Sequence, residues 1–164
     1  MRIIGLDPGL KNLGWGVIEI EGSRLRHISH GVIRSGEGAL ATRLTRLFNG
    51  LTAVIGETQP SDAAVEETFA NMNPASTLKL GQARSVCLLV PGLNDLPVSE
   101  YAPNKIKKTI VGQGHATKDQ VAHMISVLLS GVRPSDLDAV DALAIAICHA
   151  HHATTHQSKI AAAR

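Results

Sequence analysis

The stretch RIIGLDPG, residues 2–9, decides the fold that this sequence predicts. Its apolar run is typical of a buried strand, and it ends in an acid, Asp7, directly before a Pro-Gly break. Two further strand signals follow over residues 13–20 and 24–34, with Gly22-Ser23 as the turn between them. The chain therefore opens with a meander of about three antiparallel strands.

Helices and short strands alternate in the rest of the chain. Leucines and a valine recur at steps of four and three from Leu40 to Val54, which predicts one amphipathic helix. The later predicted elements are a strand over 62–66, a helix from Asn73-Pro74 to about Val90, a strand over 97–101, a helix from Pro103 to about Val111, a helix behind a Thr117/Gln120 capping box, and a last helix from near Pro134 to about His149. The order β-β-β-α-β-α-β-α-α-α favours an α/β fold with a mixed sheet and helices on both faces.

Length and composition indicate one globular domain. The chain has 164 residues, 44% hydrophobic and 18% charged, against about 150 residues for a typical domain. No apolar stretch reaches the ~18 residues of a membrane span, and the start has no signal-peptide pattern. Cys87 and Cys148 lie in apolar helical patterns typical of buried free thiols. We therefore expect one domain over residues 1–152, a short disordered tail over 153–164, and a cytoplasmic protein without membrane contact.

The distribution of charge says more than the net charge of +2. Between residues 68 and 118 there are six basic residues and two acidic ones, a local excess of four positive charges. A basic surface of this kind suits a polyanion. A solvated charged face explains it equally well.

Four acids occupy positions where an acid is costly. Asp7 and Glu66 each end an apolar strand, while Asp138 and Asp141 lie three residues apart in an apolar helix and so share one face. Carboxylates that share a site repel each other, and Mg²⁺, which takes hard oxygen ligands, relieves that repulsion. Two such ions about 3.5–4 Å apart can clamp the attacking and leaving oxygens of a phosphodiester.

Structural roles remain open for some of these acids. Asp7 could cap the turn after its strand, and Asp138 could favour the start of its helix through the macrodipole. Asp141 lies deeper in the apolar helix and is harder to explain in this way. Glu66 and Glu67 point to opposite faces of a strand, and spacing alone does not choose between them.

Several motifs, in order over residues 2–152, resemble those of the RuvC family of bacterial Holliday-junction resolvases. They are IIGLDPGLKNLGWGV (3–17), AVEETF (64–69), LKLGQAR (78–84), YAPNKIKKTIVG (101–112), KDQV (118–121) and DAVDALAIA (138–146). The resemblance implies an RNase H-like fold, with a five-stranded mixed sheet whose first three strands are antiparallel, flanked by helices.

The resemblance also implies an activity. Such enzymes are homodimers that resolve four-way DNA junctions by two symmetric nicks during recombination and repair, and they act with the RuvA and RuvB branch-migration complex. The implied nucleophile is water, activated by two divalent metals per subunit, with Mg²⁺ as cofactor and Mn²⁺ as a substitute. The implied catalytic and metal-binding residues, which select Glu66 over its neighbour, are Asp7, Glu66, Asp138 and Asp141.

The resemblance further implies DNA contacts. Phe69 would stack on bases at the junction centre, since every base offers a π-face; a core Phe is the alternative. Lys107 and Lys118 match lysines that meet the DNA backbone. The further DNA-contact candidates, which a charged helix face explains equally well, are Lys105, Lys108 and Arg84.

Two departures from the family pattern lie in the second predicted helix, which we expect near the dimer interface. Ser85 stands where a Gly is usual, and Pro91-Gly92 interrupts a stretch that is Ala-rich in relatives. The tail histidines, at i,i+3 and i,i+4 spacing, are a second candidate metal site.

Three other functions share part of the pattern. Actin-like ATPases and sugar kinases also open with a strand, an Asp and a Gly turn, but they need two such domains. A nuclease of the same fold acting on RNA or on another branched DNA would use the same carboxylates. A junction-binding protein without activity would not need all four acids.

Overall fold

The computed structural model of the protein describes residues 1–68 and 73–162. In chain order its elements are β1 (Arg2–Asp7), β2 (Asn12–Glu21), β3 (Arg24–Arg34), α1 (Leu40–Thr58), β4 (Asp62–Glu66), α2 (Pro74–Leu93), β5 (Val98–Tyr101), α3 (Pro103–Val111), α4 (Lys118–Leu128) and α5 (Leu137–Ala162). This is the predicted order.

The five strands form one mixed sheet in the order β3-β2-β1-β4-β5. The first three strands are antiparallel to one another, whereas β4 pairs parallel with β1 and β5 pairs parallel with β4. Leu6 lies opposite Val65 in the β1–β4 register. Asp7 and Glu66, each one residue further along, therefore end two neighbouring parallel strands at the same edge of the sheet.

Helices cover both faces of the sheet. Ile4 and Leu6 pack with α1 and α2, whereas Ile3, on the other face of β1, packs in the cluster that contains α3, α4 and α5. Because side chains alternate along a strand, Gly5 and Asp7 share the face of Ile3. The carboxylate of Asp7 is therefore on the α5 side.

Glycines let α5 lie directly on the sheet. A Cβ atom at Gly5 would be 2.1 Å from the carbonyl oxygen of Ala142, and one at Gly14 would be 2.1 Å from the carbonyl oxygen of Asp138. Glycine inside a strand is typical of such a close backbone approach. The first turns of α5 thus press against β1 and β2 beside the end of β1.

Two helices end later than the sequence predicts. Helix α2 continues through Pro91 to Leu93, because Pro91 falls in the last turn, where the Asn94 side chain donates to the Val90 carbonyl oxygen over 2.8 Å and satisfies the helix end. Helix α5 runs to Ala162 rather than ending near His149. Residues 150–162 contain several Ala and neither Gly nor Pro, a composition that lets the helix continue.

The predicted helix caps and buried free thiols are confirmed. Asn73 caps α2, and Thr117 and Gln120 form the capping box of α4. Cys87 and Cys148 are buried and form no disulfide. In the chain described, which omits 69–72 and the last two residues, no helix is long and apolar enough to cross a membrane.

Candidate active site

The four acids singled out in the sequence influence one another at the edge where β1 and β4 end. Burial raises the pKa of Asp7 to about 8, assisted by the negative charges of Glu66, Asp141 and Asp138 and opposed by Lys118. Carboxylates interact in this way only when they are close together in a poorly solvated place. We call Asp7, Glu66, Asp138 and Asp141 the acid cluster.

Glu66, and not Glu67, points into this cluster. Ala64 packs on the α5 side of the sheet, and Glu66, two residues on, shares that face. Burial and the charge of Asp141 raise the pKa of Glu66, while the positive charge of Lys107 lowers it. The packing of β4 against α5 thus places Glu66, and not Glu67, beside the other acids, which residue spacing alone did not decide.

The two aspartates of α5 each have a protein partner. The amide Nδ2 of Asn12 donates to Oδ2 of Asp138 over 2.9 Å. The ammonium Nζ of Lys118 lies 3.4 Å from Oδ2 of Asp141. Asn12 is not among the residues that the sequence singles out. It lies two residues before Gly14, one of the glycines that α5 touches.

The donor set suits a hard divalent cation. All four side chains offer carboxylate oxygens, which Mg²⁺ and Mn²⁺ prefer. Within residues 1–68 and 73–162, no three Asp, Glu, His or Cys side chains are drawn together tightly enough to enclose an ion. The residues present fit a cation that neutralises them.

Two of the predicted DNA-binding lysines lie beside the acid cluster. Lys107 and Lys118 both lower the pKa of Glu66 through their charge. Lys118, in the first turn of α4, also pairs with Asp141. The structure therefore places two positive charges beside the acid cluster.

The other predicted DNA contacts lie elsewhere. Arg84 forms an ion pair with Glu100, and Nζ of Lys105 lies 4.9 Å from the ring centroid of Tyr101, so both cations have partners within the protein. Lys108 is exposed in the last turn of α3. Phe69 lies outside the described residues, so its DNA contact stays a prediction.

Two of the tail histidines, His149 and His152, contact other residues of the protein instead of converging on a shared metal site. His149 is buried, with Nδ1 2.9 Å from the hydroxyl of Tyr101 and Nε2 3.8 Å from Oδ1 of Asp62, too long for a hydrogen bond. The ring of His152 stacks on Tyr101. Burial lowers the pKa of both imidazoles and favours their neutral forms.

Comparisons with known proteins agree with this geometry. The family model described as "Crossover junction endodeoxyribonuclease RuvC" matches residues 3–149. A protein of that name from Paramagnetospirillum magneticum is 58% identical over 158 residues, 96% of this chain and 95% of the relative. One from Paracoccus denitrificans is 55% identical over 152 residues, 93% of each chain.

A solved structure, "T. thermophilus RuvC in complex with Holliday junction substrate", superposes with a TM-score of 0.87 at 32% identity, covering 95% of this chain and 96% of that one. The mixed five-stranded sheet with its flanking helices is thus the expected RNase H-like fold. The chain belongs to the RuvC family of crossover junction endodeoxyribonucleases.

Proposed function

We propose that this chain is a Holliday-junction resolvase that cuts two opposed strands of a four-way DNA junction by symmetric, metal-dependent nicks during recombination and DNA repair. The observation that carries the proposal is the acid cluster. Four carboxylates from β1, β4 and α5 share one electrostatic site, in a chain that is 58% identical to a crossover junction endodeoxyribonuclease. The T. thermophilus relative was solved with junction DNA.

We propose that Asp7, Glu66, Asp138 and Asp141 hold two Mg²⁺ ions per subunit, with Mn²⁺ as a substitute. Such cations supply positive charge and Lewis acidity at a phosphodiester. The chain contributes the placement of the ligands. Asp7 and Glu66 are fixed by neighbouring parallel strands, and the close packing of α5 on Gly14 fixes Asp138.

The protonation state of Asp7 depends on the net charge of the acid cluster, and cation binding changes that charge. Its raised pKa means that the carboxyl group keeps a proton near neutral pH while its acidic neighbours are uncompensated. Positive charge in the cluster favours the carboxylate form, so that proton leaves when the cluster is neutralised.

Lys107 and Lys118 are the proposed phosphate-binding residues beside the reacting bond, and Lys108 and Phe69 extend the DNA contact. Once cations neutralise the four acids, 16 basic residues stand against ten remaining acidic ones, a net charge of +6 instead of +2. Junction binding should therefore be largely electrostatic and weaken steeply with salt.

We propose that the enzyme is a homodimer through α2. Three leucines on this helix are more than half exposed, namely Leu78 at 65%, Leu89 at 54% and Leu93 at 64%. Their spacing of eleven and four residues places them on one side of the helix, and an exposed apolar stripe is typical of an interaction surface. A two-fold axis there would present two acid clusters to two strands of a symmetric junction.

The small residues of the same stripe support this arrangement. Ser85 lines a shallow cleft with Leu89 and Gly92. Among the described residues, no atom beyond the adjoining turns of α2 lies within 4 Å of the place where a Cβ of Gly92 would stand. A second helix can approach closely over such residues. Family membership further supports RuvA and RuvB as partners, a cytoplasmic location, and a single nuclease domain over residues 1–152.

The test uses a synthetic four-way junction with a mobile core, with linear duplex and RNA–DNA hybrid as control substrates. Each is incubated with the protein in Mg²⁺, Mn²⁺ or Ca²⁺, beside Asp141→Asn. We expect paired symmetric nicks only in the junction, supported by Mg²⁺ or Mn²⁺ and lost in the variant. Cutting of the hybrid would overturn the substrate, and binding without cutting under every metal would overturn the enzymatic role.

A further inference from the structure

We infer that Asn12 is a positioning residue that fixes the carboxylate plane of Asp138, an inference that rests on the proposed function. The bond between Asn12 Nδ2 and Asp138 Oδ2 is 2.9 Å long, partly buried, and joins residues 126 positions apart. A hydrogen bond to one carboxylate oxygen restrains the rotation of the group without consuming its second oxygen. Asp138 is thereby held in one orientation.

The backbones that carry the two residues are already in contact. Asn12 is the first residue of β2, opposite Arg34 of β3, and it shares the α5 face of β2 with Gly14. At Gly14 the approach is so close that a Cβ would lie 2.1 Å from the carbonyl oxygen of Asp138. The amide therefore acts across a rigid junction of strand and helix.

Hydrogen bonds also fix the main chain of the segment that precedes Asn12. The buried Ser35 donates its N–H to the Lys11 carbonyl oxygen over 3.1 Å. Nη2 of Arg43 donates to the Leu10 carbonyl oxygen over 3.3 Å, and its Nε donates to the Ser35 hydroxyl over 3.0 Å. Asn12 thus follows a loop whose main chain is tied to β3 and α1.

The charge of the donor distinguishes this contact from the one at Asp141. The ammonium of Lys118 competes with any cation for Asp141, whereas a neutral amide can keep its bond to Asp138 when positive charge enters the cluster. Outer hydrogen bonds to metal ligands typically contribute about 10- to 100-fold in affinity or activity. We assign that contribution at Asp138 to Asn12.

The test compares Asn12→Leu, which keeps the shape of the side chain and removes the donor, with the matched control Arg34→Gln. Arg34 contacts Asp136, two residues before Asp138, over 3.2 Å. Binding of Mn²⁺ is followed by the electron paramagnetic resonance signal of the free ion, and Asp138→Asn identifies the site. We expect about 10- to 100-fold weaker Mn²⁺ binding in Asn12→Leu and wild-type binding in Arg34→Gln.

Kinetics separate positioning from folding. In Asn12→Leu we expect kcat to fall at limiting Mn²⁺ and to recover at high Mn²⁺, with KM for the junction and Tm close to wild type. Asn12→Ala should behave in the same way, and it replaces the Leu variant if that one does not fold. Wild-type Mn²⁺ binding in these variants, or a loss of kcat that high Mn²⁺ does not restore, would overturn the inference. Equal Mn²⁺ binding by wild type and Asp138→Asn would overturn the metal site of the proposed function, and the inference with it.

Discussion

Two groups of titratable side chains lie on the α5 side of the sheet. One is a set of acids that repel one another, and the other is a histidine paired with a tyrosine. In the acid cluster, like charges and burial together raise the pKa of Asp7 to about 8. Near the middle of α5, burial lowers the pKa of the His149 imidazole, whose Nδ1 lies 2.9 Å from the Tyr101 hydroxyl. The acid cluster repels itself, whereas the second group contains a hydrogen bond between His149 and Tyr101.

This difference indicates that the His149–Tyr101 pair contributes to folding stability and that the acid cluster lowers it. A buried polar pair with a hydrogen bond costs little and fixes the packing of neighbouring elements. A buried set of like charges lowers stability, and proteins keep such sets mainly where chemistry needs them. Substitutions in the two groups should therefore have opposite effects on folding and on cleavage.

The largest expected effect is on cleavage. Asp7→Asn should lower the rate of junction cutting by about 1000-fold or more, because a metal ligand contributes several kcal/mol to the transition state. Junction affinity, measured by gel shift in Ca²⁺, should stay close to wild type. The matched control is Asp62→Asn, which changes an acid beside His149 and should cut at nearly the wild-type rate. Equal loss in both variants would erase the contrast between the two groups.

Asp7→Asn should also stabilise the metal-free protein. The folded pKa of Asp7, about 8, lies above its ordinary value, so between about pH 4 and pH 8 the folded state binds more protons than the unfolded state. The free energy of unfolding therefore falls as pH rises through this range. Urea denaturation in EDTA should show Asp7→Asn to be more stable than wild type by about 2 kcal/mol at pH 8, and by less at pH 5.

A different result would reassign Asp7. If the Asn variant were less stable at both pH values, the carboxyl group would be a turn cap after β1, the alternative that the sequence leaves open.

In the His149–Tyr101 pair the expected effect on folding has the opposite sign. Tyr101→Phe removes the hydroxyl next to His149 Nδ1 and leaves a buried polar atom without that partner. We expect a loss of about 1–2 kcal/mol in the free energy of unfolding, measured by urea denaturation, with cleavage nearly unchanged. A large loss of cleavage at wild-type stability would instead tie this pair to the active site.

The smallest expected effect is the pH dependence of the contribution that His149 makes to the free energy of unfolding. Burial lowers the folded pKa of His149 below its ordinary 6.5, so as pH falls below about 6.5 the unfolded state takes up the proton first and stability falls. The stability difference between wild type and His149→Gln should therefore shift against wild type by about 1 kcal/mol from pH 7.5 to pH 5.5. The exposed His123→Gln provides the control, and a shift of the same size there would rule out this origin.

The order of the elements followed from the sequence because its signals are local. Apolar periodicity, the Asn73-Pro74 helix start and the Thr117/Gln120 capping box each act within a few residues. The two late helix ends were missed for local reasons as well: Pro91-Gly92 predicts a stop that comes three residues too early, and no local signal after His149 marks where the last helix ends.

The site was predictable only in part. Apolar surroundings made the four acids conspicuous, and the family resemblance selected Glu66 over Glu67, but only the packing of α5 on β1, β2 and β4 shows which face each acid takes. The bond from Asn12 to Asp138 spans 126 residues. Its one local sign, a glycine two positions after Asn12, does not identify the partner across the interface.

The glycine contact beneath α5 has a consequence for mutational tolerance. A Cβ on Gly14 would be 2.1 Å from the Asp138 carbonyl oxygen, whereas ordinary contacts begin near 3.4 Å, so any other residue would displace the start of α5 by about 1 Å. Misplacement of catalytic groups on that scale can cost about 100-fold in rate. A saturation scan scored for junction cutting should therefore find Gly14, which has no side chain and no charge, almost as intolerant of replacement as the aspartate it supports.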